Sequence, residues 1–257
     1  MKFLRYQSPR GPAYGVLDSN GIVRALEGSP FGENRVGAEV GPLEELRLLP
    51  PVEPPKVICV GLNYADHVAE SNAKMPEMPL YFMKPRTALN SHGSAIVYPK
   101  DSTIVHYEAE LVAVIGRGGR RIPEGEALRH VLGYTCGNDV SARDWQRKEM
   151  AQGFLLHGKA YDTFAPLGPV VTTDLDPSDL AIELRLNGEV KQKSRTSQLI
   201  FSVPRLISDI SQFITLEPGD VIMTGTTSGV GPMKPGDVVE VEVEGIGVLR
   251  NTVVAET

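Results

Sequence analysis

Short apolar runs, separated by glycine, proline and polar turns, recur along the whole chain. Runs such as "KVICVG", "SAIVYP", "ELVAVIG" and "DVVEVEVEG" have the length and composition of strands. The turns "LEPGDVI" and "MKPGDVV" each lead into one of these runs. Near the N-terminus, "AYGVLDSNGIVRAL" predicts a hairpin, because Asn20 and Gly21 are favoured turn residues. We therefore predict a β-dominated α+β fold with few helices.

Three segments have helical signals. In "SVPRLISDISQFI", Ser202 is a predicted N-cap, Pro204 lies in the first turn and the apolar residues form one stripe. The shorter segment "NYADHVAESNA" has Asn63 as its predicted cap. In "SARDWQRKEMA", Ser141 is the predicted cap and Asp144 follows three residues later. The first of these reads as a packing helix, and the other two carry polar residues.

A proline-rich stretch, "LLPPVEPPK", interrupts the pattern near residue 50. Closely spaced prolines stiffen and extend a chain and are typical of a connector between units. We therefore predict a small N-terminal β domain at residues 1–49, a connector at residues 50–56 and a larger unit at residues 57–257.

One strand-like run, "VHYEAELVAVIG" at residues 105–116, carries two acidic residues on a single face. In a strand, Glu108 and Glu110 point the same way and are roughly 7 Å apart, so their charges repel. An ordinary amphipathic strand with a solvated face explains the pair. However, Val112 and Val114 continue the same face as apolar positions. The alternative is a buried strand with the glutamates at the mouth of a cavity, around a cation.

Charge and cysteine content narrow the class of protein. The net charge is −6 and no basic cluster occurs, which argues against nucleic acid and anionic membranes as partners. The isolated Cys59 and Cys136 suggest free thiols in a reducing compartment. The start of the sequence has no apolar core typical of a signal peptide, and no run has the length of a membrane span. We expect a cytoplasmic protein without membrane contacts.

Carboxylate oxygens are the ligands that Mg²⁺, Mn²⁺ and Ca²⁺ prefer, and a stable site needs more than two of them. Asp139, in "GYTCGNDVSARD", follows an apolar run and precedes a predicted helix, so it is the best third ligand. Helix capping is the alternative for that aspartate. The isolated cysteines and the lack of paired histidines at ligand spacing argue against zinc.

Other polar residues suggest acid–base chemistry. His67 and Glu70 are three residues apart on a predicted helix, so the carboxylate can orient the imidazole as a base, unless both are simply exposed. Lys159, in "LLHGKAYDTFAPLGP", is either a partly buried lysine with an anionic partner or a surface residue. The turn "MTGTTSGVG" offers amides and hydroxyls that suit a carboxylate, but it lacks the lysine of a phosphate-binding loop.

The ordered set "GLNYADHVAE", "YFMKP", "VHYEAELVAVIG", "GYTCGNDVSARDWQ", "GKAYDTFAPLGP" and "LIFSVPRLISDISQFITLEPGDVIMTGTTSGVG" resembles the fumarylacetoacetate hydrolase family. The nearest resemblance is to its small bacterial branch of acylpyruvate hydrolases, oxaloacetate decarboxylases and 2-hydroxyhepta-2,4-diene-1,7-dioate isomerases. It covers roughly residues 55–255. The resemblance implies a mixed β-sandwich roll, a homodimer and a bound Mg²⁺ or Mn²⁺ ion.

The resemblance also assigns roles to individual residues. The metal ligands of the family fall on Glu108, Glu110 and Asp139. Its lid dyad and active-site lysine fall on His67, Glu70 and Lys159. Its substrate contacts fall on Gln146 and Thr226, and a threonine that assists the metal site in some members falls on Thr163. Around Lys159 the chain departs from many relatives at four positions: His157, Ala160, Tyr161 and Ala165. These departures leave open which side chain the substrate carries.

These observations lead to a functional hypothesis. We expect a divalent-metal-dependent enzyme that acts on a small 2-oxo acid of the acylpyruvate, oxaloacetate or 2-hydroxyhepta-2,4-diene-1,7-dioate type. The reaction would pass through a metal-stabilised enolate and end in C–C bond hydrolysis, decarboxylation or isomerisation. The alternative is a non-catalytic carboxylate metal-binding β module. His67, Glu70 and Lys159 favour the enzyme, because a structural metal site needs neither a base nor a lysine.

Overall fold

The computed structural model describes all residues from Met1 to Thr257. The first half of the chain forms ten strands: β1 (Lys2–Ser8), β2 (Gly11–Leu17), β3 (Ile22–Gly28), β4 (Asn34–Pro42), β5 (Leu48–Leu49), β6 (Val57–Gly61), β7 (Leu80–Lys84), β8 (Leu89–Ser91), β9 (Ala95–Tyr98) and β10 (Val105–Tyr107). The remainder of the chain forms ten more: β11 (Ala109–Ile115), β12 (Val131–Asn138), β13 (Ser141–Ala142), β14 (Ala165–Thr172), β15 (Ala181–Leu186), β16 (Glu189–Arg195), β17 (Val221–Thr226), β18 (Gly231–Met233), β19 (Val238–Val243) and β20 (Gly247–Ala255).

Helices are few and mostly short, as the sequence predicts. The α-helices are α1 (Ala65–Glu70), α2 (Arg143–Met150), α3 (His157–Ala160) and α4 (Val203–Phe213), and the 3₁₀ segments are Leu43–Glu45, Arg86–Ala88, Glu124–His130 and Thr196–Gln198. No helix has the length and apolar character needed to cross a lipid bilayer.

The strands form one large sheet and two smaller ones. Ten strands of the large sheet follow the order β4-β3-β2-β1-β14-β12-β11-β17-β6-β7, with β5 paired to β1 and β8 to β14. Within this large sheet, neighbouring strands are antiparallel except for the β8–β14 and β6–β17 pairs, which are parallel. A five-stranded sheet has the order β16-β15-β19-β20-β9, and a three-stranded sheet the order β13-β10-β18. This confirms the β-dominated architecture.

The core explains why β11 is apolar on both faces. All seven of its residues are buried. Leu111 and Ile115 belong to the larger apolar cluster, which continues into the five-stranded sheet, whereas Val112 and Val114 belong to a second cluster on the other side. The large sheet is therefore covered on both faces at its centre, and any polar group placed there must find its partners within the protein.

The N-terminal strands continue the large sheet. The hairpin predicted around Asn20 is present as β2 and β3, and β1 pairs with β14 through Lys2 and Phe3. Hydrogen bonding thus runs without a break from residues 1–49 into the predicted larger unit at residues 57–257. The N-terminal domain boundary near residue 50 stays a prediction, because shared strand pairing does not decide how the two parts fold.

Three local predictions differ from the structure. The run at residues 105–116 is not one strand, because it breaks at Glu108 and passes from the three-stranded sheet to the large one. Asn63 does not cap α1, since its side chain bonds Phe201 and the Thr224 carbonyl. Ser141 does not cap α2, because its hydroxyl donates to Glu108 and to the Asp139 carbonyl. For Asn63 and Ser141, a buried tertiary partner replaces the local cap.

By contrast, the predicted cap of α4 is confirmed. The Ser202 hydroxyl accepts a hydrogen bond from the Arg205 amide, and a proline occupies the first turn. The apolar stripe is buried through Val203, Leu206, Ile207 and Ile210. This helix packs against the core and contributes no side chain to the cavity described below.

The continuous sheet leads to a stability prediction. Leu4 lies on β1 and is 0% exposed within the larger apolar cluster. Leu4→Ala is expected to lower the unfolding free energy of the whole chain by about 2–5 kcal/mol, because it leaves a cavity in that core. Val36→Ala on β4, where the side chain is 43% exposed, should change it by less than about 0.5 kcal/mol. Chemical denaturation measures both, and a separate early transition of the N-terminal strands would contradict the prediction.

Candidate active site

A cavity of about 220 Å³ lies above the large sheet, between β7, β17, α1, α2 and α3. One part of its wall is apolar, with Leu80, Phe82 and Leu155. The remainder is polar and includes most of the residues singled out in the sequence: His67, Glu108, Asp139, Gln146, Lys159 and Thr226. Glu70 and Glu110 do not line the cavity directly.

The three predicted metal ligands converge at this cavity. One carboxylate oxygen each from Glu108, Glu110 and Asp139 lies within 4.8 Å of the others, and all three residues are buried. Glu108 lies in the break between β10 and β11, Glu110 near the start of β11 and Asp139 directly after β12. Strands β11 and β12 are antiparallel neighbours, so the start of one meets the end of the other.

The break at Glu108 is stabilised by the neighbouring strand. The Glu108 amide donates to the Asn138 side-chain oxygen at 2.9 Å, and the Asp139 amide donates to the Glu108 carbonyl at the same distance. The asparagine side chain thus replaces one ladder bond and lets the chain turn at Glu108. Consequently the two glutamates converge on a shared centre instead of lying parallel on one strand face.

Two cations neutralise Glu108. Lys159 Nζ lies 3.0 Å from one of its oxygens, and Arg143 Nη2 lies 2.5 Å from the other. Burial by itself raises the pKa of Glu108, but the attraction of Lys159 and Arg143 outweighs it and holds the pKa far below its usual range. Lys159 is only 2% exposed. The alternative of a surface lysine is therefore wrong.

Asp139 is the second partner of Lys159 and the main partner of Lys84. Lys159 Nζ donates to one Asp139 oxygen at 2.6 Å. Burial lowers the pKa of Lys159, but the attraction of the Asp139 and Glu108 carboxylates outweighs this effect and raises the pKa above its usual range. Lys84 Nζ lies 2.8 Å from the other oxygen and also donates to the carbonyls of Val140, Lys159 and Phe164. Both oxygens of Asp139 are therefore held by buried lysines.

Lys84 and Arg143 contact the carboxylate cluster but were not predicted from the sequence. Lys84 ends the apolar strand β7 in "YFMKP", and Arg143 begins α2 in "SARDWQ". For Lys84, the sequence did offer a signal, because the lysine ends an apolar run directly before a proline. Nothing local distinguishes Arg143 from the other basic residues of its helix, because its partner Glu108 is far away in sequence.

Glu110 differs from the other two carboxylates because no cationic side chain pairs with it. Its only hydrogen bond comes from the Gly225 amide, at 2.8 Å. Burial raises the pKa of Glu110 well above its usual range, and the nearby Asp139 and Glu108 carboxylates raise it further. A divalent cation fits this group because it balances the unpaired charge of Glu110, and because the three clustered carboxylates offer the oxygen ligands that such ions prefer.

The predicted dyad is assembled but open. His67 and Glu70 lie on α1, and His67 Nδ1 is 3.6 Å from a Glu70 oxygen, which is too far for a hydrogen bond. Both Glu70 oxygens accept from the Gly229 amide at 3.0 Å. The carboxylate is thus anchored to the Gly/Thr-rich turn, while the imidazole reaches the cavity wall.

The structure places the remaining predicted residues as follows. Gln146 lines the cavity and accepts from Arg143, and Thr226 lines it at the end of β17. Thr163 instead accepts from the Val97 amide at 2.9 Å and does not line the cavity. None of the four positions that depart from many relatives lines the cavity either; His157 stacks on Trp145, and Tyr161 bonds Asp101. The catalytic and binding roles of all these residues stay predictions.

Known proteins are similar to this chain in both sequence and fold. Residues 56–254 match the family described as fumarylacetoacetate (FAA) hydrolase C-terminal, and residues 1–51 match the family described as Rv2993c-like, N-terminal. A curated relative, the mitochondrial oxaloacetate tautomerase FAHD2A of Bos taurus, is 46% identical over 224 residues, which cover 83% of this chain and 71% of that protein.

Solved structures agree. The 5-carboxymethyl-2-hydroxymuconate delta-isomerase from Mycobacterium smegmatis is 46% identical and superimposes with a TM-score of 0.92 over 100% of both chains. The fumarylpyruvate hydrolase from Pseudomonas aeruginosa, solved in complex with Mn²⁺ and pyruvate, is 39% identical with a TM-score of 0.76, over 80% of this chain and 91% of that one. As the order of its motifs predicts, the chain belongs to the fumarylacetoacetate hydrolase family.

Proposed function

We propose that this protein is a divalent-metal-dependent enzyme that converts a small 2-oxo acid through its enolate. The observation that carries the proposal is the buried carboxylate group of Glu108, Glu110 and Asp139, which adjoins a cavity also lined by His67 and Lys159. The cavity of about 220 Å³ suits a small organic acid rather than a polymer.

Mg²⁺ or Mn²⁺ is the proposed ion, since both prefer carboxylate oxygens, and Ca²⁺ also suits such ligands. The Pseudomonas relative was solved with Mn²⁺ and pyruvate, which supports the assignment. When bound, the ion supplies a concentrated positive charge that stabilises the enolate of a 2-oxo acid.

Lys159 and Arg143 provide positive charge at the same end of the cavity. Both contact Glu108, so their side chains are held in place before substrate arrives. A preorganised cation stabilises developing negative charge without a reorganisation cost at the moment of reaction. We assign Lys159 to the enolate oxygen. Gln146 and Thr226, on the same wall, are assigned to hydrogen bonding with the substrate.

His67 is the proposed proton-transfer group. Its Nδ1 has no hydrogen-bond partner, and Glu70 is close enough that a shift of about half an ångström would bring the two within hydrogen-bond distance. Such a bond would fix the imidazole tautomer and raise the basicity of the other ring nitrogen. His67 would then take a proton from the substrate carbon or from water, which covers tautomerisation, isomerisation and hydrolysis alike.

Proton transfer within the substrate is the reaction we place first. Two of the relatives at 46% identity are named as an isomerase and a tautomerase, whereas the fumarylpyruvate hydrolase is less similar, at 39%. Hydrolysis and decarboxylation would use the same enolate. A turnover screen should therefore compare oxaloacetate tautomerisation and decarboxylation with hydrolysis of acetylpyruvate and fumarylpyruvate, each with Mg²⁺ and with Mn²⁺. No turnover of any of them with either ion would contradict the proposal.

The alternative, a non-catalytic metal-binding module, has less support. A structural metal site is closed by its ligands, whereas this carboxylate group adjoins an open cavity. In addition, a partner-free imidazole nitrogen at His67 and a buried Lys159 would serve no purpose in a module that only binds metal.

The metal assignment predicts the effect of Glu110→Gln. This change removes the one ligand charge that no protein cation balances. Loss of a residue that only supports a metal ligand lowers metal affinity roughly 10- to 100-fold, so loss of this ligand charge should lower Mn²⁺ affinity by more than that. Saturating Mn²⁺ should raise the melting temperature of the wild type by mass action but not that of the variant. Calorimetric titration and thermal melts measure both effects. Glu126→Gln, at an exposed ion pair with Arg129, is the matched control and should behave as wild type.

The base assignment predicts the effect of His67→Ala. Hydrolysis of an acylpyruvate or tautomerisation of oxaloacetate should slow roughly 10²-fold or more, the usual scale for a general base. Decarboxylation of oxaloacetate should suffer less, because it depends mainly on stabilisation of the enolate.

The Mn²⁺ dissociation constant should not change in His67→Ala, since His67 is not among the clustered ligands. His130→Ala is the control, because the His130 side chain bonds only the Arg117 carbonyl and lies outside the cavity. Wild-type rates in His67→Ala, or loss of metal binding together with activity, would show that the role is wrong.

A further inference from the structure

Strand β16 lies at the edge of the five-stranded sheet and is solvent-accessible at every position but one. The exception is Gln192, which is 1% exposed. Burying a neutral amide is unfavourable unless its oxygen and nitrogen find hydrogen-bond partners. A single buried glutamine on an otherwise exposed edge strand therefore indicates a specific set of partners.

Those partners are at the candidate active site. Gln192 Oε1 accepts from the Ala109 amide at 2.9 Å, between the metal-ligand candidates Glu108 and Glu110. A backbone N–H can only donate, so this bond fixes which end of the amide is oxygen. The Nε2 group consequently faces Thr226 and Thr227, and donates to the Thr226 hydroxyl and the Thr227 carbonyl, both at 2.9 Å.

The turn that carries these threonines is shaped to meet β16. Gly229 has φ +89°, and a side chain there would place its Cβ 2.1 Å from the Lys191 carbonyl. Only glycine allows the two backbones to approach so closely. This contact packs the turn against β16 at Lys191, the residue next to Gln192. The Gln192 side-chain amide is therefore within hydrogen-bond distance of Thr226.

The bond from Gln192 determines what the Thr226 hydroxyl can do. Its oxygen accepts from Gln192, and the structure shows no protein acceptor for its own proton. Thr226 lines the cavity and lies opposite Glu110 in the β11–β17 ladder. The hydroxyl proton is therefore available to whatever occupies the cavity beside Glu110. Carboxylate and enolate oxygens, which only accept, are its natural partners.

We propose that Gln192 is a positioning residue that orients Thr226 as a hydrogen-bond donor to an anionic oxygen of the substrate. The inference rests on the proposed function, since it takes the cavity as the substrate site. It assigns to the edge strand of the second sheet a part in selecting 2-oxo carboxylates over uncharged analogues.

The test measures pyruvate binding to the Mn²⁺-loaded protein by calorimetry. In Gln192→Glu, the introduced carboxylate can only accept, so the Thr226 proton turns towards it and away from the cavity. Gln192→Met removes the donor without adding charge. Both variants should raise the pyruvate dissociation constant roughly 10- to 100-fold, the scale for a hydrogen bond to a charged group. Gln212→Glu, on the exposed face of α4, is the matched control and should bind as wild type.

Thr226→Val separates positioning from a general structural effect. If Gln192 acts through Thr226, Thr226→Val weakens pyruvate binding by itself, and adding Gln192→Met has no further effect. In metal-free protein, the Ala109 amide should exchange with solvent faster in Gln192→Met than in wild type, because its acceptor is gone. This second measurement requires neither metal nor turnover.

The outcomes distinguish the two proposals. Unchanged pyruvate affinity in both Gln192 variants, or additive effects of Gln192→Met and Thr226→Val, would overturn the role of Gln192 while leaving the enzyme assignment in place. If the wild type binds Mn²⁺ but neither binds pyruvate nor turns over any 2-oxo acid, the proposed function fails, and the inference fails with it.

Discussion

Buried negative charge is the constraint around which this molecule is organised. Three carboxylates within 4.8 Å of one another would repel strongly in a medium of low dielectric constant. Lys159 and Arg143 hold Glu108, Lys159 and Lys84 hold Asp139, and Glu110 is left with one backbone amide. These cations come from β7, α2 and α3, so the charge balance ties separate parts of the chain to the start of β11. Removing one partner of such a group leaves an unpaired buried charge, which is more costly than the loss of a surface ion pair.

One Gly/Thr-rich segment forms hydrogen bonds with polar side chains of the site that the buried cations do not contact. The Gly/Thr-rich segment at the end of β17 supplies the Gly225 amide to Glu110 and the Gly229 amide to Glu70, and it receives the Gln192 side chain at Thr226 and Thr227. The sequence predicted that its amides suit a carboxylate, and they do bind carboxylates of the protein itself. Since this segment contacts β11, α1 and the second sheet, a shift in it would move Glu110, Glu70 and Thr226 together.

Local patterns predicted the parts of the fold whose causes are local. The α4 cap at Ser202 and the β2–β3 hairpin depend on neighbouring residues, and both were predicted from them. The caps assigned to Asn63 and Ser141 were wrong because those side chains bond residues far away in sequence. The single strand through Glu108 was wrong for the same reason, since the Asn138 side chain produces the break. Six ordered motifs named the family and its ligand set, but Lys84 and Arg143 were missed because only the tertiary structure brings them to the carboxylates.

The position of Gln192 shows why the candidate site needs both large layers of the sandwich. The metal ligands lie in and beside strands of the large sheet, whereas the residue that fixes the Thr226 hydroxyl lies on the edge of the five-stranded one. A change in the relative position of the two sheets would alter the hydrogen bond between Gln192 and Thr226. If Gln192 has the proposed positioning role, packing between the sheets, through the core that Leu111 shares with Leu184 and Val241, would influence substrate recognition. Mutations in this interlayer core should then alter KM at an unchanged metal dissociation constant, which distinguishes them from changes to the carboxylates.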